Sequence, residues 1–412
     1  MQQRNNTVDI IRGFAMLLVV LGHTMSGSTS EFQDSLLFQV IWTLQMPLFI
    51  IISGYVTRYS RPITDGAGLL KFIKKRSLAY LLPWAVWTLV VRAGVFGQTQ
   101  YYDAQFLLWH TDSGYWFLLT IWTIAMVFGI ADLLSNKIAK EKNTLNILLH
   151  FAFCGIGMII LGVIGYLLGL SFLGIKLTLY YLPMYLMGYL YGQLQEGLLA
   201  KKYGRTAINW SIAICLCLWL SLINRIDFYG GADGGLFILL RFTTSIMGCV
   251  AVIGLFTSAD FNGGGYLAVV RSSFSRNLPH SLSVPQPHQN VRTARNDNSE
   301  WNGSNDSELC VNDPVDHHDN QTIAEECNAQ LPAVRETYSS RFLKWVGVHS
   351  LEVYLIHGFS LCLLRMPKAP AMGSLESWWL IFINFIIAVV LSCTYIRIIE
   401  TNKLLNKILY WK

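Results

Sequence analysis

Ten separate apolar runs, each close to 20 residues long, leave this chain few ways to fold. They lie at roughly 8–27, 36–57, 78–97, 115–135, 145–168, 176–194, 208–224, 236–257, 343–365 and 376–399. A helix of that length crosses the hydrocarbon core of a bilayer, and it satisfies its own backbone hydrogen bonds where no water can. The reading is an all-α integral membrane protein with about ten transmembrane helices. Composition agrees, because only 14% of the residues are charged, against about 25% in soluble domains. Six cysteines (154, 215, 217, 249, 362 and 393) fall in apolar runs and only Cys310 and Cys327 stand in polar sequence. The six read as small buried hydrophobes rather than a disulfide framework. No small-residue cleavage motif follows the first run, which is therefore expected to stay in place as the first span.

The loops set the expected orientation. Glu31 and Asp34 follow the first run, and Asp103 and Asp112 follow the third. Arg58, Arg61, Lys71, Lys74, Lys75 and Arg76 follow the second; Lys137, Lys140 and Lys142 the fourth; Lys201, Lys202 and Arg205 the sixth; Lys403, Lys407 and Lys412 close the chain. The basic loops share one side with both termini, which the positive-inside rule assigns to the cytoplasm. Topology thus accounts for the excess of basic residues, and no nucleic-acid partner is expected.

The stretch 258–342 breaks this pattern and divides the chain into 1–257, 258–342 and 343–412. It is rich in Asn, Ser, Asp and Pro, a composition that buries too little apolar surface to order itself. It reads as a disordered cytoplasmic insertion between the eighth and ninth spans, or as a segment foreign to the original fold. Its sequons at 302–304, 305–307 and 320–322 would then be chance matches, since glycosylation takes place on the other side of the membrane. His317 and His318 beside Asp316 and Asp319 are a weak metal signal of the kind short His tracts give.

The first span, DIIRGFAMLLVVLGH at 9–23, carries the chemistry. An ionisable residue inside a span is a functional-site hypothesis by default. Arg12 and His23 are eleven positions apart, which is three helical turns plus roughly 20°, so both project from one face about 16 Å apart. Asp9, three residues before Arg12, is placed to pair with it. Gly13 and Gly22 offer small surfaces beside both for the close approach of a helix or ligand. Simpler roles are open too: Arg12 as an anchor snorkelling to the headgroups, and His23 as a helix-to-helix hydrogen-bonding residue.

At these residues the chain resembles membrane acyltransferase family 3, the polytopic O-acyltransferases. Asp9, Arg12, Gly13 and His23 are similar to its first-helix signature. QMPLFIIISGY (45–55), FIKKRSLAYLLPW (72–84), SGYWFLLTIW (113–122) and HSLEVYLIHGF (349–359) resemble further family stretches, in the family's order. One departure is that Ala79 and Tyr80 stand where members often carry a second arginine between the basic patch and the proline.

The resemblance implies acyl transfer, usually of acetyl from acetyl-coenzyme A on the cytoplasmic side, to a hydroxyl of a saccharide or lipid-linked saccharide. His23 suits the general base, since imidazole titrates near neutrality. Arg12, oriented by Asp9, suits donor recognition or charge stabilisation on the thioester oxygen. Lys75 and Arg76 are candidates for the donor phosphates, although topology alone would also place them. Trp116 suits a sugar-stacking surface or an ordinary interface aromatic. Glu352, Tyr354 and His357 are further intramembrane polar groups, suited to helix packing or to support of the site. No G-x-S-x-G elbow, HExxH or paired CxxC occurs, so neither a serine nucleophile nor a metal is expected. The expected location is a bacterial inner membrane. The alternatives are a transporter or flippase for a lipid-linked saccharide, with Arg12 and His23 in a proton relay, and a non-catalytic receptor on the same fold.

Overall fold

A computed structural model of the chain describes residues 6–110, 114–139, 143–200, 204–225, 235–258, 337–364 and 370–410. The expected insertion, with its sequons, His317, His318, Cys310 and Cys327, lies outside the described residues apart from its margins. The described residues contain helices and no strand. In chain order the α-helices are α1 (Asn6–Ser28), α2 (Leu36–Thr57), α3 (Gly66–Ala85), α4 (Ala104–Trp109), α5 (Trp116–Ala139), α6 (Asn143–Leu167) and α7 (Ile175–Ala200). They continue as α8 (Gly204–Leu222), α9 (Gly235–Ser258), α10 (Tyr338–Val348), α11 (Ser350–Leu364), α12 (Leu375–Thr401) and α13 (Lys403–Tyr410). Beyond Pro83, α3 runs without interruption into a π-helical segment, Val86–Val95.

Among the described residues seven helices are long and apolar enough to cross a membrane: Asn6–Ser28, Leu36–Thr57, Gly66–Val95, Trp116–Ala139, Thr144–Leu167, Gly235–Thr257 and Leu375–Thr401. The other three expected spans take different forms. The apolar part of α8 is shorter, Thr206–Leu222. The sixth run forms α7, which is long but interrupted by Pro183 and several tyrosines. The ninth is two helices, because the backbone leaves the helical path at His349. There Nδ1 of His349 lies 2.8 Å from the Trp345 carbonyl and Nε2 lies 2.9 Å from a Glu400 carboxylate oxygen on α12. That ion-pairing contact is tertiary, so the apolar pattern along the chain gives no sign of the break.

The molecule is organised around α1, which packs against α2, α9, α10, α11 and α12. Its buried stripe of Ile11, Ala15, Met16, Val19 and Val20 meets Leu44, Leu48, Val346, Val353 and Leu355 in one core cluster. Two glycines bring α1 and α10 into backbone contact. A Cβ on Gly13 would overlap the Leu343 carbonyl, and one on Gly347 would overlap the Asp9 carbonyl. Small residues allow such close approach between membrane helices. Ten residues beyond this crossing α1 carries His23, and α11 carries His357. The outward faces of α6 and α12 display Ile156, Ile159, Ile160, Phe382 and Ile386, as a lipid-facing surface should.

Candidate active site

The Arg12 end of α1 borders open space. A cavity of about 200 Å³ is lined by Arg12, Met16, Phe49, Tyr80, Phe117 and Tyr354. A smaller one of about 70 Å³ is lined by Arg12, Thr57, Ser60, Arg76, Tyr80 and Tyr185. Arg12, Ser53, Tyr80 and Ile121 line both. Two guanidinium groups therefore face the smaller cavity. Nη1 of Arg76 donates to the Tyr80 hydroxyl at 3.3 Å, and its guanidinium sits 5.3 Å above the Phe72 ring. Of the sequence-predicted pair, Arg76 is half-buried and lines the cavity, whereas Lys75 is exposed and is not among its lining residues. Asp9 is buried on α1 beside Gly347.

His23 lies at the other end. Its side chain is exposed and its ring stands against one other imidazole. Its ring centroid lies 5.2 Å from that of His357, on α11. His357 is buried, and its Nδ1 lies 3.1 Å from the Val353 carbonyl. A carbonyl only accepts, so Nδ1 must carry the proton and the neutral ring keeps a bare Nε2. The tautomer of His357 is thus fixed by its own helix. Tyr354, which lines the larger cavity, follows at 5.7 Å from His357. That cavity therefore extends from Arg12 to Tyr354, the aromatic neighbour of His357.

The sequence reading missed Arg92. It lies in the π-helical segment, with its guanidinium 5.2 Å above the Tyr101 ring and 5.3 Å above the Tyr115 ring. The Tyr115 hydroxyl donates to the Leu355 carbonyl at 2.7 Å, which ties this region to α11, and the positive charge of Arg92 acts on both His23 and His357. An arginine within an apolar run was the available signal. Near the end of an apolar run, however, it reads as an interface residue. Trp116 stacks on Tyr181, with centroids 5.7 Å apart and planes 18° apart, so one face of this expected sugar platform is already covered. Among the described residues no three His, Cys, Asp or Glu side chains converge as a metal set.

A family model for an acyltransferase domain, acyltransferase family 3, matches residues 5–273. The chain belongs to this acyltransferase family. Arg12, His23, Arg76 and Arg92 lie inside the matched stretch, whereas His357 lies beyond it. Nodulation protein NolL from Sinorhizobium fredii (strain NBRC 101917 / NGR234) is 25% identical over 267 residues, covering 59% of this chain and 66% of that protein. No solved structure matches. With its apolar helices, this acyltransferase-family chain is a multi-pass membrane protein, and membership implies an acyl donor and an acceptor.

Proposed function

We propose that this protein is an integral membrane O-acetyltransferase. It moves acetyl from acetyl-coenzyme A to a hydroxyl of a cell-surface glycan or its lipid-linked precursor, in a bacterial inner membrane. In this reading the chain spans the bilayer about ten times, with both termini cytoplasmic. The observation that carries it is the layout of α1: two arginines face a cavity at one end, and a histidine pair stands at the other.

Arg12 and Arg76 suit the donor's phosphates, since guanidinium groups recognise phosphate through paired, charge-assisted hydrogen bonds. Asp9 is assigned to orient Arg12. The pantetheine arm is an extended chain that would carry the thioester from that cavity along α1. His23 then takes the proton of the acceptor hydroxyl as its oxygen bonds to the thioester carbon. The carbonyl π pair moves to oxygen, giving a tetrahedral oxyanion. When that pair returns, the C–S bond breaks and the departing coenzyme A sulfur takes the proton from the His23 imidazolium. His357, with its tautomer fixed and its bare Nε2 available, is assigned to support His23.

The test is proton NMR of O-acetyl groups on surface polysaccharide from cells lacking the protein, and from cells expressing it intact or as His23→Ala. Acetyl signal restored only by the intact protein is expected. Unchanged acetylation, with lipid-linked saccharide accumulating inside the cell, would overturn the proposal in favour of transport.

A further inference from the structure

We propose that Arg92 supplies the positive charge at the reacting end of the site, where it meets the thioester carbonyl oxygen as that oxygen becomes an oxyanion. This inference rests on the acyl-transfer reading above and identifies a catalytic residue that reading lacks. Acyl transfer requires a donor or cation within about 3 Å of the developing oxyanion. Arg12 cannot provide it at His23, because eleven residues of uninterrupted α1 separate them by roughly 16 Å. Arg76 shares Arg12's cavity. Among the described residues Arg92 is the cation whose field falls on both imidazoles.

Its setting is that of a held charge rather than a packing side chain. The π-helical turns of Val86–Val95 are a geometry that recurs at functional sites. The guanidinium lies over two tyrosine faces, which partly offset its desolvation through cation–π attraction and fix its plane. Gly114, at φ +76°, leaves the space that Nη1 occupies; a Cβ there would collide with it. Arg92 is half-buried, and no carboxylate among the described residues comes within ion-pairing distance. A partly desolvated cation is expensive to keep, and a transient oxyanion is a partner this reaction supplies. A path of ring contacts links it to the base: Tyr115 to Tyr354 at 5.9 Å, Tyr354 to His357 at 5.7 Å, and His357 to His23 at 5.2 Å.

The experiment uses the full chain in bilayer nanodiscs, with acetyl-coenzyme A as donor and a mixture of methyl glycosides as the acceptor probe. Release of the coenzyme A thiol and formation of O-acetyl glycoside are both followed. Arg92→Gln is expected to lower kcat by about 10² to 10³, with KM for donor and probe unchanged. Arg92→Lys should recover part of that loss. Arg92→Ala, which opens a gap between the two tyrosine rings, should be rescued by added guanidinium ion and not by the same concentration of sodium. A merely structural arginine would show no such selective rescue. An unaltered kcat in folded Arg92→Gln overturns the proposal, and so does a raised KM for the probe at constant kcat, which would make Arg92 an acceptor anchor. If the intact chain acetylates none of the glycosides while consuming no acetyl-coenzyme A, the acyl-transfer reading itself fails, and Arg92's role with it.

Discussion

At the Arg12 end of α1 the side chains surround open space; at the His23 end they stand ring against ring. Arg12 and Arg76 face a small polar cavity that adjoins a larger, more apolar one. His23 and His357 lie 5.2 Å apart, beside an aromatic wall that ends at Arg92. The difference suits a division of labour. An end that binds a large charged group needs room and guanidinium forks, whereas an end that moves a proton needs close, well-fixed rings. One helix carries both, so the spacing between them is fixed by its rise.

Substitutions can break that comparison. The largest effect should come from His23→Ala, with acetyl transfer at saturating donor and acceptor falling by about 10² to 10⁴, the range a positioned base contributes. Retained binding of acetyl-coenzyme A, measured by calorimetry, would show that the other end is intact. Next comes Gly13→Ala, whose Cβ would overlap the Leu343 carbonyl. Forcing α1 and α10 apart should cost about 1–3 kcal/mol of stability, read as an earlier thermal transition in detergent, and should lower activity without targeting either end. Arg76→Ala should weaken acetyl-coenzyme A binding by about 10-fold to 100-fold, the worth of a hydrogen bond to a charged group, while kcat at saturating donor changes little. A kcat loss with donor affinity intact would remove Arg76 from the binding end. The smallest effect is expected for Lys75→Ala. Its side chain is exposed and outside the cavity lining, so donor KM should stay within about 2-fold, as for most surface changes. A larger shift would restore the Lys75–Arg76 pair that the sequence suggested.

Much of the first end was legible in the sequence because it is written in one helix. The 3.6-residue period puts Arg12 and His23 on one face, and Gly13 signals a close approach that the structure fills with α10. The pairing of His23 with His357 was not legible. It joins residues from opposite ends of the chain, and no local spacing encodes which helices become neighbours. The break at His349 escaped for the same reason, since Glu400 on α12 supports it while hydropathy stays high throughout. Arg92 was overlooked because π-helical turns re-aim a side chain away from the direction an α-helical period gives it. The segment also ends an apolar run, where a long basic side chain can be read as snorkelling to the interface.

The contact of Gly13 with Gly347 makes α1 and the α10–α11 pair a lever with a fulcrum of bare backbone. His23 stands ten residues beyond it on α1, an arm of about 15 Å along that helix, while His357 stands on α11, past the break at His349. A 10° change in crossing angle at the fulcrum would separate the two rings by roughly 2.6 Å over that arm, enough to part them. Anything that leans on this crossing, from bilayer thickness to a ligand in the cavity beside Arg12, would therefore set the spacing of two rings it never touches.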